Sequence, residues 1–339
     1  MLARLQQFST LGLLLAALVW AGVFSSRGEF LLAVAGVLTI LFGYAVVLAV
    51  EFVLLWFVNR GDPAPRATVR QMFRAWAGEV VTAAQVFCWR QPFRSSAVPD
   101  FLPASSQRRG VVLVHGYVCN RGLWNPMLLQ LRDRSVPFVA VNLEPVFGSI
   151  DEYVPLIDAA VRRISSLTGM APVVVAHSMG GLAVRAWQAS PHASLEAHRF
   201  ITIGSPHRGT FLARFGHTPN AQQMRLKHAW HVGLLSTEPP ERFGRFTCFY
   251  GHCDNIVFPA STATLPGADN RHVAACAHVH MAHHADVLNE VLRWVDGEGG
   301  SVAGPSGVEA ITGLESAARR PAPRRPRSPA APAPRHTAG

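Results

Sequence analysis

The stretch Val173–Trp187, VVVAHSMGGLAVRAW, restricts the fold more than any other part of the chain. A short apolar run leads directly into a serine flanked by small residues, and a segment with helical spacing follows. Strand and helix therefore meet at a sharp turn, which accepts only small residues two before and two after its centre. Here these are Ala176 and Gly180, with Gly181 next. The valine run suits a strand covered on both faces, and hence a parallel sheet with helices on either side. A serine on such a turn has its hydroxyl lifted clear of the sheet, with the N-terminus of the following helix facing it. The plain alternative is a serine that only caps the helix.

The pattern around this junction agrees. From Arg109 onward, RGVVLVHG reads as a strand, NPMLLQLRDR as a helix, FVAVNLEP as a strand, and IDEYVPLIDAAVRRISSLTG as a helix with a glycine stop. HRFITIGSP and RFTCFYGHCD read as strands, NRHVAACAHV as the last strand, and HADVLNEVLRWVDG as the closing helix. This alternation predicts an α/β domain over residues 109–296 with a mostly parallel sheet and helices on both faces. Chemistry in such sheets gathers at the carboxyl ends of the strands. Residues 207–243 interrupt the rhythm without a clear strand and form a candidate lid or substrate wall.

Ser178 is the candidate nucleophile. A serine hydroxyl reacts only with a base beside it and donors for the developing oxyanion. One donor is expected from the backbone N–H of Met179 and a second from the loop VVLVHGYVCN, at the N–H of Tyr117 after His115-Gly116. The acid is expected past a late strand, where GHCDNIVFP offers Asp254. Glu144 and Asp151 are carboxylates too, but both precede the serine. The base is expected between the last strand and the closing helix, where ACAHVHMAHHADV carries four histidines. His278 is the first choice and His280 the second, while His283 and His284 fall at the helix start. The cluster invites a metal reading, but neither HExxH nor an acidic partner supports one.

The N-terminal part has a different character. Residues 8–24 contain no charge, and residues 30–58 contain one, Glu51. A spanning helix needs about 20 apolar residues, roughly 17 at least, so residues 1–59 read as a hairpin of two transmembrane helices. A cleaved signal peptide is the rival, but only Arg4 precedes the first run, no convincing cleavage site follows, and a longer apolar run comes at once. Arg60, Arg66, Arg70 and Arg74 after the second run outweigh Arg27 between the runs. This bias predicts a multi-pass protein of a bacterial-type inner membrane with its catalytic domain cytoplasmic. Glu51 is either an intramembrane carboxylate with a function or, as favoured here, a group reaching toward the interface. In the connector, residues 60–108, VRQMFRAWAGEVVTAAQVFCW has the pattern of an amphipathic helix lying on the membrane or packed on the domain. The formal charge is +10, and Arg319, Arg320, Arg324, Arg325, Arg327 and Arg335 sit in a Pro/Ala/Arg-rich tail, residues 297–339, expected to be disordered. No aromatics interleave its arginines, which argues against nucleic acid. Five cysteines without a CxxC pair make neither a disulfide framework nor a zinc module.

The pieces VLVHGYVCN, LEPVFGSIDEY, VVVAHSMGGLAVR, ITIGSPHRGT, GHCDNIVFP and AHVHM resemble the α/β-hydrolase superfamily. Within it they look most like lipase and GPI-inositol-deacylase-like serine esterases. The resemblance covers roughly Arg109 to Asp296. It departs from the usual pattern at Ala176, where the first glycine of the elbow stands, and that form is similar to some bacterial lipases. It implies the α/β-hydrolase fold, a Ser178 nucleophile, a His278 base oriented by Asp254, and an oxyanion hole from the Tyr117 and Met179 N–H groups. The implied reaction is hydrolysis of carboxylic esters of acyl lipids through an acyl-serine, with no cofactor. A thioesterase or acyltransferase would use the same residues, and a catalytically silent membrane binding protein would use none of them.

Overall fold

The computed structural model describes residues 1–104, 106–191 and 196–297. The tail expected to be disordered lies outside the described residues from position 298 on. Among those residues six strands form one parallel sheet in the order β2-β1-β3-β4-β5-β6. They are β1 (Val111–Val114), β2 (Phe138–Val141), β3 (Val173–His177), β4 (Arg199–Ile203), β5 (Phe246–Tyr250) and β6 (Asp269–His272). The helices are α1 (Leu2–Ser26), α2 (Phe30–Val58), α3 (Val69–Ala83), the single turn α4 (Gln91–Phe93), α5 (Asn125–Asp133) and α6 (Val154–Thr168). They continue with α7 (Met179–Ala189), α8 (Pro219–Gln223), α9 (Ala229–Thr237), α10 (His278–Met281) and α11 (Ala285–Val295).

Strand side chains alternate between two cores, as the period of two requires. Val112, Val114, Val174, Ala176 and Phe200 pack with Ile157 and Val161 of α6 and Leu182 of α7. Val111, Leu113, Val173, Val175 and Ile201 face the other way, onto Leu128 and Leu131 of α5 and Val287 and Val291 of α11. Both faces of the sheet are thus covered, which explains why β1 and β3 are unbroken apolar runs. In register, Ala176 lies opposite Val114 and Thr202, and His177 opposite Ile203.

One expectation is corrected locally. The last strand was expected over residues 270–279 but ends at His272. Val273 N makes a further bond to Tyr250 O, and Ala275 then adopts φ 51, which no extended strand contains, and turns the chain back toward the sheet. Residues 207–243, where no strand is expected, fold into α8, α9 and short 3₁₀ turns. The end of this segment is pinned by Glu238, which accepts from Arg185 Nε at 3.0 Å and Nη2 at 2.6 Å. Both side chains are fully buried.

α1 and α2 are long and apolar enough to cross a bilayer, and most of their surface is exposed. Their two ends meet the domain on the carboxyl edge of the sheet. At the start of α1, the Met1 nitrogen donates to Glu144 after β2, and Gln6 Nε2 donates to Gln91 Oε1 at 3.0 Å. At the end of α2, Asn59 Oδ1 accepts from Ala260 N at 3.2 Å, and Asp62 accepts from Ser261 Oγ at 2.6 Å, both after β5. Since β3 lies between β2 and β5 in the sheet, the hairpin straddles the strand that ends in Ser178. Phe52 and Leu55 of α2 pack against Cys253, Phe258 and Ala277. That contact turns Glu51 inward: its carboxylate accepts from Asn255 Nδ2 at 2.7 Å instead of reaching for the interface. α3 begins with a Thr68–Gln71 capping box. It leans on α2, with Trp76 Nε1 donating to Ala45 O and Tyr44 Oη donating to Val80 O.

Candidate active site

Ser178 joins β3 to α7 with φ 55 and ψ −129, a strained conformation for a residue with a side chain. Its N–H donates to Ile203 O at 2.8 Å, tying the turn to β4. A Cβ at Gly180 would come within 2.6 Å of His115 O, so α7 approaches β1 as closely as it does only with glycine there. Position 176 is different: the Ala176 methyl is buried in the core with Val112 and Val174, so the strand side of the turn has room for one carbon.

The loop after β1 carries its own orienting device. His115 Nε2 accepts from Leu143 N at 3.0 Å, so the proton sits on Nδ1, which donates to Gly116 O at 2.9 Å. Burial holds the His115 pKa down to about 4, which keeps this neutral form. In a planar peptide the C=O and N–H point opposite ways. Anchoring Gly116 O on His115 therefore sets the direction of the Tyr117 N–H. The Met179 N–H belongs to the first turn of α7, where helix amide groups lack intrahelical partners.

Asp254 and His278 meet on the next strand ends. His278 Nδ1 donates to Asp254, standing 2.9 Å from both Oδ2 and Oδ1, and Oδ1 also accepts from Ile256 N at 3.0 Å and Val257 N at 2.8 Å. Both residues are almost completely buried. Burial disfavours the imidazolium, but the charge and hydrogen bond of Asp254, with Glu79 and Glu51 behind, outweigh it. The His278 pKa therefore lies above the ordinary histidine value. With Nδ1 engaged, Nε2 is the nitrogen left for chemistry. His177, the residue before Ser178, donates from Nε2 to His278 O at 3.1 Å, and the two rings lie 4.6 Å apart. Among the described residues no hydrogen bond joins Ser178 Oγ to His278, a contact that commonly tightens only with substrate.

The other candidates lie elsewhere. His280 is on α10 with Nδ1 unpartnered, His283 faces Arg90 at 3.2 Å, and His284 caps α11 by accepting from Asp286 N. Glu144 meets the Met1 nitrogen, and Asp151 accepts from Trp230 Nε1 at 3.0 Å. Three residues without a place in the pattern, His177, Asn255 and Glu79, contact the others, and His115, noted only for its position before Gly116, orients the loop after β1. A histidine directly before the glycine of a strand-end loop was a usable signal for His115; the rest carry no local signature.

No family model matches the sequence, and no curated protein matches it. Solved structures do resemble the chain. A Bacillus licheniformis lipase in its mature form is similar with a TM-score of 0.50 and 18% identity, over 58% of this chain and 94% of that one. Aspergillus fumigatus lipase B is similar with a TM-score of 0.43 and 20% identity, over 53% of this chain and 48% of that one, so the match spans about half of it. A Bacillus subtilis carboxylesterase is similar with a TM-score of 0.36 and 11% identity, over 68% of this chain and all of that one. The six-stranded parallel sheet, the helices on its two faces and the first of these likenesses together make the chain's fold that of the α/β-hydrolases, with two long apolar helices at its N-terminal end.

Proposed function

We propose that the chain is a membrane-anchored serine esterase that hydrolyses carboxylic esters of acyl lipids. The observation that carries this reading is the buried Asp254–His278 pair held, through His177, against the turn that bears Ser178. In this reading His278 Nε2 accepts the Ser178 Oγ proton as Oγ attacks the ester carbonyl carbon. Charge collects on the carbonyl oxygen, opposite the Met179 and Tyr117 N–H groups. Collapse breaks the bond to the alkoxy oxygen, which leaves as an alcohol with the proton from His278. An acyl-serine remains. Water then attacks it, giving its proton to His278, and the acid departs as Ser178 recovers its hydrogen. Asp254 keeps the imidazole in the tautomer this cycle needs. The similar Bacillus licheniformis protein is by name a lipase, which supports the ester class.

The lipid part rests on the hairpin. Its two attachments flank the serine-bearing strand end, so a bilayer entered by α1 and α2 would lie against the carboxyl edge of the sheet. The arginines after α2 support a cytoplasmic domain, which a C-terminal topology reporter tests; periplasmic activity of the reporter refutes it.

The decisive experiment pairs a fluorophosphonate probe with p-nitrophenyl esters of graded chain length, on wild type, Ser178→Ala, His278→Ala and His280→Ala. Labelling and turnover disappear in Ser178→Ala and His278→Ala and persist in His280→Ala. Labelling of Ser178→Ala sinks the nucleophile; activity retained by His278→Ala but lost by His280→Ala exchanges the base. A folded wild type that turns over no ester sinks the function.

A further inference from the structure

The catalytic reading needs His278 in one place, yet its host element is weak. α10 is a single turn, and its N-cap Ala277 offers no side-chain acceptor. Isolated turns of this length do not hold themselves. Nonetheless three consecutive main-chain donors there are all bound by side chains from other segments. His278 N donates to Asn255 Oδ1 at 3.2 Å, Val279 N to Glu79 Oε1 at 2.9 Å, and His280 N to Glu79 Oε2 at 3.0 Å. Glu79 comes from α3 and is 1% exposed. Asn255 is in turn gripped by Glu51 of α2. A buried carboxylate is costly to keep, and among the described residues no salt bridge to Glu79 offsets that cost. Burial drives the Glu79 pKa up to about 7 against the pull of its two backbone hydrogen bonds.

We propose that Glu79 is a positioning residue for the base, clamping the His278 turn with both carboxylate oxygens, and that Glu51 acting through Asn255 is a second strut to the same turn. The N-terminal helical segment is then part of the catalytic apparatus as well as an anchor. This rests on His278 being the base. Neither glutamate touches substrate; each acts by fixing the ring that does. Loss of the clamp lets His278 drift while the substrate-facing surface stays intact, so the turnover number suffers and KM does not.

The test uses the full chain in detergent or nanodiscs, with a short soluble ester. Glu79→Ala and Glu79→Gln lower kcat by roughly tenfold to a hundredfold with KM nearly unchanged, because the first leaves two N–H groups bare and the second turns an amide donor onto one of them. Glu79→Asp, which keeps the carboxylate, recovers part of the loss. Glu51→Leu lowers kcat by a few-fold. In the proton NMR spectrum, the far-downfield His278 Nδ1–H signal of wild type broadens or moves in the Glu79 variants. Wild-type kcat in folded Glu79→Ala and Glu79→Gln, or a loss confined to KM, overturns the proposal; wild-type kcat in Glu51→Leu removes the second strut. Should Glu79→Ala fail to fold, Glu79→Gln and the NMR signal decide it. If wild-type Ser178 reacts with no fluorophosphonate, the esterase reading fails first; if it reacts equally in wild type and Glu79 variants, only the positioning role fails.

Discussion

Gly204 follows β4 at φ +53, and a Cβ built there would stand 2.7 Å from Asp254 Oδ2 and 3.1 Å from His278 Nδ1. Gly204→Ala therefore aims a single methyl at the Asp254–His278 hydrogen bond. Ordinary contact begins near 3.4 Å, so the carboxylate oxygen must retreat by about 0.7 Å. Asp254 has little freedom to accommodate this, since its other oxygen is tied to the N–H groups of Ile256 and Val257. If the retreat is taken along the bond, the Oδ2–Nδ1 distance grows from 2.9 Å to about 3.6 Å, which is no longer a hydrogen bond, and Oδ1, also 2.9 Å from Nδ1, is left to hold the ring alone. Two effects follow. The left-handed backbone costs an alanine about 1–2 kcal/mol of stability, and displacing one of the two oxygens that orient the imidazole lowers kcat/KM by roughly tenfold to a hundredfold. Gly169 supplies the control: it ends α6 at φ +67 with nothing within 4 Å of its would-be Cβ. Gly169→Ala is expected to show a comparable loss of thermal stability and unchanged kcat/KM. The assay is p-nitrophenyl ester turnover alongside thermal unfolding in the same detergent. A folded Gly204→Ala enzyme within threefold of wild type refutes the reasoning, as does an equal loss of kcat/KM in Gly169→Ala.

Three further outcomes are expected. In the proposed mechanism His278 serves as base only when neutral, and its pKa is raised above 6.5. The acid limb of kcat/KM is therefore half-maximal above pH 6.5, with activity falling as pH falls through it; a limb below 6.5 in a pH–rate profile contradicts this. Glu238→Ala strands the fully buried Arg185 guanidinium and is expected to cost about 3–5 kcal/mol, read as a lower denaturant midpoint. Ala176→Gly restores the commoner elbow residue but removes a buried methyl and loosens a strand; it should cost about 1–2 kcal/mol and leave kcat within a few-fold.

The alternation of buried strands and amphipathic helices after Arg109 was legible because a parallel sheet covered on both faces writes itself into each strand as an unbroken apolar run. The last strand was misread for an instructive reason. VAACA is as apolar as a strand, but Ala275 at φ 51 bends it back to bring His278 against Asp254 and Asn255 after β5, and composition does not encode that bend. Ser178 was visible because its turn imposes residue sizes on near neighbours. Asp254 and His278 were visible only as residue types at the right strand ends. Glu79 and Asn255 had no local signature at all: Glu79 grips residues 200 and 201 positions away, and only the packing of α3 beside α10 brings them together. Glu51 was read by its position in an apolar helix, yet its direction is set by Phe52 and Leu55, which commit that face of α2 to the domain.

The two attachments of the hairpin also decide how reactants are counted. On the proposed reading, with α1 and α2 in a bilayer, a catalytic edge tethered at both flanks sits at fixed height and tilt over one leaflet, so it samples lipids by their lateral diffusion rather than from bulk water. Its rate then follows the mole fraction of ester in the surface. Diluting vesicles at constant composition leaves the turnover of each embedded enzyme unchanged, while diluting the ester with inert lipid slows it.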